Sequence, residues 1–355
     1  AYGATNCMAA GVEAGDRVAL MSKTRYEWTL LDYAIWWAGA VTVPVYETSS
    51  QEQVAWILAD SAAVAVVTEG PDHTARVSAA RAGLEDLRHV WSFADNGVDV
   101  LRRLGEDVTD EVLEQRRTAT TPLDLATIIY TSGTTGQPKG AELRHRNMRD
   151  NALSGEALFG ASAENPDTYL CVLPLFHSFG QTVIQNGGFA YGGTVVMLPR
   201  FEAEPALGLM LKEKVTFFAG VPTMYWGLLG ALSGAGEGEV DVETLAKNLR
   251  VAAAGGSALP VEVHKDFEKK FGVTILEGYG LSETSPVASF SPYGEPPRVG
   301  SIGTPIPGVE MCLLQADSWE RLPEDIEEDG KTAVGEIAIK GHNIMKGYYN
   351  RPEAT

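Results

Sequence analysis

The sequence predicts an α/β fold: two doubly wound, mostly parallel sheets packed with helices, plus a small β-rich subdomain at the C-terminal end. Three observations predict it. Short apolar, β-branched runs alternate with longer helix-forming segments through residues 17–131. A second alternation of the same kind runs through residues 169–276. Such alternation builds parallel strands joined by helices that cover both faces of a sheet. After about residue 298 glycine and proline become frequent and short strand-like runs replace the helices, which points to antiparallel pieces.

The elements follow in order. Arg17–Met21 is an apolar strand after the turn Gly15-Asp16, residues 26–40 read as a buried helix, and Val41–Val45 is the next strand. Ser50 and Gln53 form a capping box for a helix reaching Asp60, each side chain satisfying a backbone amide at the other position. Ala63–Thr68 and 89–93 are strands, charged helix-forming sequence fills 101–117, and 126–131 is a strand. The second series has strands at 169–173, 194–198, 215–219, 250–254 and 273–276, with amphipathic helices such as 202–212 and Val261–Phe271 between them. Residues 233–239 read as a solvated, mobile loop. Residues 310–314 and 335–340 are the strands of the last part. The expected division is 1–155, 156–297 and 298–355. No repeat of solenoid period is present.

Bulk properties narrow the function. The 355 residues carry 28 basic and 47 acidic side chains, a net charge of -19. A general nucleic-acid binder needs a basic face instead. Cys7, Cys171 and Cys312 are odd in number and far apart, so a disulfide framework is not expected and a reducing, cytoplasmic setting is. The longest apolar stretch, 30–45, is interrupted by Asp32 and Pro44 and is no candidate membrane span. The chain opens at Ala1 in what reads as mid-helix, so a preceding segment, a targeting one included, is left open.

The chemistry concentrates in a few loops. Residues 128–140 read Ile-Ile-Tyr-Thr-Ser-Gly-Thr-Thr-Gly-Gln-Pro-Lys-Gly. An apolar strand enters a loop of hydroxyls and glycines (Thr131, Ser132, Gly133, Thr134, Thr135, Gly136) that ends at Lys139. Glycines bring bare amides close to a polyanion, hydroxyls add donors or a metal ligand, and the lysine adds a point charge. The spacing differs from that of the nucleotide-triphosphatase P-loop. A surface linker is the competing reading, but linkers seldom follow an apolar strand and close on Pro-Lys-Gly.

Residues 277–284, Glu-Gly-Tyr-Gly-Leu-Ser-Glu-Thr, follow the strand 273–276. Gly278 and Gly280 are expected to let the chain turn tightly around Tyr279. The tyrosine face suits a purine, and the hard carboxylate of Glu283 suits Mg²⁺ held together with ATP oxygens. Residues 252–259 carry Gly255, Gly256 and Ser257 between a strand and the helix start at Pro260, where the backbone can approach a ligand. Residues 174–180 read Pro-Leu-Phe-His-Ser-Phe-Gly. The other histidines (His73, His89, His145, His264, His342) show no ligand spacing and read as surface residues.

In their order and detail these motifs resemble the acyl-adenylate-forming enzymes: acyl-CoA synthetases, luciferases and the adenylation domains of peptide synthetases. The resemblance covers nearly the whole chain. Residues 43–61 look most like bacterial long-chain fatty acyl-CoA synthetases. The resemblance implies that a fatty acid attacks Mg-ATP to give an acyl-adenylate and pyrophosphate, and that the thiol of coenzyme A then takes the acyl group. It implies that Thr131 and Glu283 share magnesium, with Lys139 completing the catalytic set, and that Ser282 and Thr284 contact phosphate. Gly255, Gly256, Ser257, Gly278, Tyr279 and Gly280 would border adenine. His177, Phe179, Val221 and Gly256 would line the acyl pocket, with Pro222 and Thr223 beside them. A carboxylic acid is already ionised at pH 7, so His177 is assigned to lining or gating the pocket rather than to acting as a base. Residues 299–308 and 335–352 resemble scaffold segments of the same family.

By the same resemblance the chain stops before the family's ribose-binding aspartate, hinge and mobile C-terminal domain. It is expected to be most of the large N-terminal domain, to bind nucleotide weakly alone, to adenylate poorly and to form little thioester. Two other readings stay open: transfer of the acyl group to a carrier protein, and a non-catalytic nucleotide- or acyl-binding module. A homodimer is compatible with the sequence. A membrane role would be limited to peripheral contact that collects fatty acids, and no basic amphipathic helix supports it.

Overall fold

The computed structural model describes residues 2–95, 99, 103, 105–131, 136–234, 240–323 and 333–355. In the first half the strands are β1 Arg17–Met21, β2 Val41–Val45, β3 Ala63–Thr68, β4 His89–Ser92, β5 Leu125–Thr131 and β6 Lys139–Arg144. In the second they are β7 Thr168–Cys171, β8 Thr194–Met197, β9 Phe217–Gly220, β10 Val251–Ala254, β11 Ile275–Gly280 and β12 Val287–Phe290. The last part adds β13 Thr304–Pro305, β14 Val309–Leu314, β15 Glu336–Gly341 and β16 Gly347–Tyr348.

Among the described residues these strands form two seven-stranded sheets and a two-stranded ribbon. In the first sheet β4, β3, β1, β2 and β5 lie side by side in parallel. β6 and then β16 continue it antiparallel. The second sheet repeats the plan: β8, β7, β9, β10 and β11 are parallel, and β12 and β13 continue antiparallel. β14 and β15 pair alone. The expected pair of mostly parallel sheets is present. In both, the last parallel strand is the one that carries a loop motif, and the chain leaves it by a hairpin.

The central strands are apolar on both sides, as parallel strands between helix layers must be: β2 and β3 are buried at every position. The Ser50–Gln53 capping box forms as expected. The helix expected over 26–40 stops at Trp37, because Gly39 takes a φ of 74° and turns the chain into β2. Of the stretch 101–117, the helix Asp110–Ala119 is capped by Thr109, while 101, 102 and 104 lie outside the described residues. So do 235–239 of the expected loop. His264 is not a surface residue: it is 1 % exposed. On the helix Val261–Phe271 it falls on the stripe that buries Val263, Phe267 and Phe271, three residues before Phe267 and so on the same face.

Asp32, which breaks the apolar run of the helix Tyr26–Trp37, has a structural task. It is 0 % exposed. Gln181 and Gln185, one turn apart on the π-helix Phe179–Asn186, both donate to its Oδ2, at 2.9 and 3.0 Å. Thr29 donates to Gln185 Oε1 at 2.6 Å, and Tyr33 to Asn186 at 2.9 Å. A helix of the first half thus clamps a helix that begins at Phe179. Burial outweighs these donors and pushes the Asp32 carboxyl from 3.8 up to about 6. A raised folded-state pKa gives stability that is full below 3.8 and lost as pH rises through 6. Asp32→Asn is therefore expected to remove about 3 kcal/mol of pH dependence between about pH 4 and pH 8. Denaturant unfolding at both ends checks this, and equal slopes in the two proteins would refute it.

Candidate active site

Thr131 ends β5, and the antiparallel register pairs it with Lys139 at the start of β6. β5 and β6 are therefore the two arms of a hairpin. Ser132, Gly133, Thr134 and Thr135 lie outside the described residues. Gly136 takes a φ of 122°, a region that L side chains avoid. Trp56 on the helix Gln51–Asp60 donates its indole N–H to the Pro138 carbonyl at 3.0 Å and fixes the loop's returning stem.

The second motif is built differently from the tight turn expected. Glu277, Gly278, Tyr279 and Gly280 stay in β11, and neither glycine has positive φ. They are glycines because β12 leaves no room. A Cβ at Gly278 would lie 2.5 Å from the Phe290 ring, and one at Gly280 would overlap the Pro286 carbonyl oxygen. The turn comes later, at Ser282–Thr284. Thr284 is 2 % exposed. Its hydroxyl accepts the Leu281 amide at 2.8 Å and faces the Pro286 carbonyl, so it organises the turn that presents Glu283.

The two hairpins meet at Glu283. Thr131 Oγ1 donates to Glu283 Oε1 at 3.4 Å, and Tyr348 Oη donates to the same oxygen at 2.7 Å. The Tyr348 ring also lies under Lys139, with Nζ 4.5 Å from its centroid. A salt bridge of 3.0 Å between Lys346 and Glu142 secures β16 to β6. The Met345 amide donates to the Glu283 carbonyl at 2.9 Å.

Tyr348 was not foreseen as a site residue. Its segment read as scaffold, and the available signal was a tyrosine beside Gly347 in a late strand. Burial and the Glu283 hydrogen bond push its phenol up to about 12, so it remains a donor at neutral pH. Tyr348→Phe frees the carboxylate and is expected to weaken Mg-ATP binding by roughly 3- to 10-fold. Calorimetry showing unchanged affinity would refute the role.

A cavity of about 380 Å³ opens beside Glu283. Thr131, Ser282 and Glu283 line it, and so do Tyr279, Gly255, Gly256, Gly278 and Gly280. His177 and Phe179 line it too, together with the apolar Phe159, Val183, Val287 and Phe290. Lys139, Val221, Ser257 and Thr284 are off its wall. Val221 stands behind Gly256, 3.4 Å from where a Cβ would be, and Ser257 is exposed. His177 Nδ1 accepts the Phe179 amide at 3.1 Å, and burial holds its pKa below the usual value. The imidazole is thus neutral, with its proton on Nε2, and suits lining or donating rather than proton removal.

A family model described as AMP-binding enzyme matches residues 4–349. The chain is 31% identical to the long-chain-fatty-acid–CoA ligase FadD15 of Mycobacterium bovis, over 97% of this chain and 61% of that protein. It is 30% identical to the malonate–CoA ligase ACSF3, mitochondrial, of Mus musculus, over 98% of this chain and 62% of that one. Among solved structures, ATP-bound MatB from Rhodopseudomonas palustris aligns with a TM-score of 0.83 and 28% identity, over 99% of this chain and 65% of that one. The chain thus spans 61% and 62% of the lengths of those two ligases.

Proposed function

The chain belongs to the AMP-binding enzyme family, and we propose that it supplies the nucleotide- and acid-binding part of a ligase that activates an apolar carboxylic acid with Mg-ATP and transfers the acyl group to coenzyme A. The observation that carries this reading is the convergence of Thr131 and Glu283 from two separate sheets on a cavity that they line together with Phe159, Val183, Val287 and Phe290. With nucleotide phosphates at the Thr131–Glu283 pair and an alkyl or aryl tail against the apolar residues, the carboxylate falls between them.

Each residue then has a task. Lys139 offsets phosphate charge, Tyr279 offers its face to adenine, and the Gly255–Gly256 backbone admits the nucleotide closely. Neutral His177 and Phe179 hold the acid in line with the α-phosphorus, where catalysis is mainly positioning. Thr131 and Glu283 would hold a magnesium ion arriving with ATP. That ion would supply charge stabilisation for the phosphates. Among the described residues no cluster of three or more His, Cys, Asp or Glu could hold a metal unaided. One carboxylate and one hydroxyl suit Mg²⁺ that keeps phosphate and water ligands.

The family serves different acids, since the two relatives above are named for a long-chain fatty acid and for malonate. Here the described cavity wall has no lysine or arginine that could pair with a second carboxylate, which favours a fatty or other apolar acid. The test is acid-dependent ATP–pyrophosphate exchange over a panel of carboxylic acids in the protein that carries this chain. Coenzyme A and a carrier protein are then supplied separately as acceptors. Exchange with apolar acids and thioester with coenzyme A are expected. Transfer to the carrier alone would move the acceptor, and no exchange with any acid would leave a binding module.

A further inference from the structure

Three apolar residues of the cavity wall, Phe159, Val183 and Val287, separate the cavity from a second space. Phe159, the last residue of the helix Gly155–Phe159, is 5 % exposed. Its ring is held edge-on between Phe217, at 5.0 Å, and Phe290, at 4.8 Å. Phe159, Val183 and Val287 also wall a second, small void of about 10 Å³. The far side of that void is made of Ala152, Gly155, Tyr169 and Gly187. Ala152 in turn borders a surface groove of about 560 Å³ lined by Trp36, Met148 and Phe189. Three spaces therefore lie in series, and one clamped aromatic ring is the largest side chain between the first and the second.

We propose that Phe159 sets the length of acid the cavity accepts. This deepens the reading above and rests on it. A tail passing Phe179 and Val183 runs against a ring that two aromatic neighbours prevent from rotating away. Up to that ring each added methylene enters a dry apolar wall and gains about fourfold in affinity. Beyond it a methylene must bend back or displace the ring, and the gain stops. A shorter side chain would join the cavity to the void and open a way toward the groove.

The test uses non-hydrolysable acyl-adenylate analogues with saturated tails graded from acetyl to palmitoyl, with Kd measured by calorimetry. Affinity in the wild type is expected to climb about fourfold per methylene and then level at a breakpoint. Phe159→Ala and the milder Phe159→Leu should move the breakpoint to longer tails. Gly187→Val, which refills the void, should return it toward the wild-type position in the Phe159→Leu background. The same breakpoint in wild type and in folded Phe159→Leu overturns the proposal, as does an equal loss for every tail length. Failure of every analogue to bind any variant would instead sink the adenylate-forming reading and this proposal with it.

Discussion

Replacing Glu283 by alanine is expected to lower acid-dependent ATP–pyrophosphate exchange by about 10²-fold or more. Glu283 is the point where the two hairpins touch, accepting from Thr131 on one sheet and Tyr348 on a strand of the same sheet. Removing it deletes the negative charge that would hold the metal and the acceptor that keeps the two loops in register. The cost to folding is small by comparison, about 1 kcal/mol, because Thr131 borders the cavity and Tyr348 is only partly buried, so water can reach both hydroxyls. Glu283→Gln separates the two roles: the amide oxygen still accepts from both hydroxyls, but the charge is gone. Exchange that stays low in both variants assigns the effect to charge. Full recovery in the glutamine variant would sink the metal role. Lys139→Ala tests the other side of the charge balance, and full exchange in both alanine variants would overturn the site itself.

The fold was legible where burial is uniform and caps are local. Val41–Val45 and Ala63–Thr68 are buried at every position, and their β-branched runs announce it. Ser50 and Gln53 lie within one turn of each other, so their pairing needs nothing from elsewhere. The features that were missed depend on partners far away in sequence. The strand Lys139–Arg144 contains a buried glutamate, Glu142, whose partner is Lys346. From sequence alone that segment was assigned no element. Asp32 looked like an interruption of an apolar helix because Gln181 and Gln185 are some 150 residues on. The motif glycines were recognised as such, but for a local reason, a tight turn, when the constraint is the neighbouring strand. Thr131, Tyr279 and Glu283, which the structure brings to one cavity, were singled out because their motifs follow apolar strands. Tyr348 was not, because its role exists only through Glu283 and Lys139.

Gly280→Ala is expected to destabilise the protein by about 3 kcal/mol or more and to remove nucleotide binding. A Cβ at this position would overlap the carbonyl oxygen of Pro286 and come within 3.1 Å of Thr284 Oγ1. The first of these is backbone, so no change of rotamer relieves it, and relief requires β11 and β12 to part. Their register pairs Tyr279 with Ser289 and Gly280 with Val287, so parting them moves Tyr279 and the Glu283 turn away from Thr131 together. Gly208→Ala is the matching control. That glycine lies inside the helix Ala203–Lys212, with nothing within 4 Å of the added carbon, and the substitution should stabilise by roughly 0.5–1 kcal/mol. One added methyl thus has opposite signs at two sites, decided by what it meets. Denaturant unfolding of both variants, with binding of a fluorescent adenine nucleotide, measures the contrast. A Gly280→Ala protein that unfolds within about 0.5 kcal/mol of wild type and still binds nucleotide would mean that β11 and β12 can separate freely. The close approach of strands would then not be what holds Tyr279 and Glu283 in place.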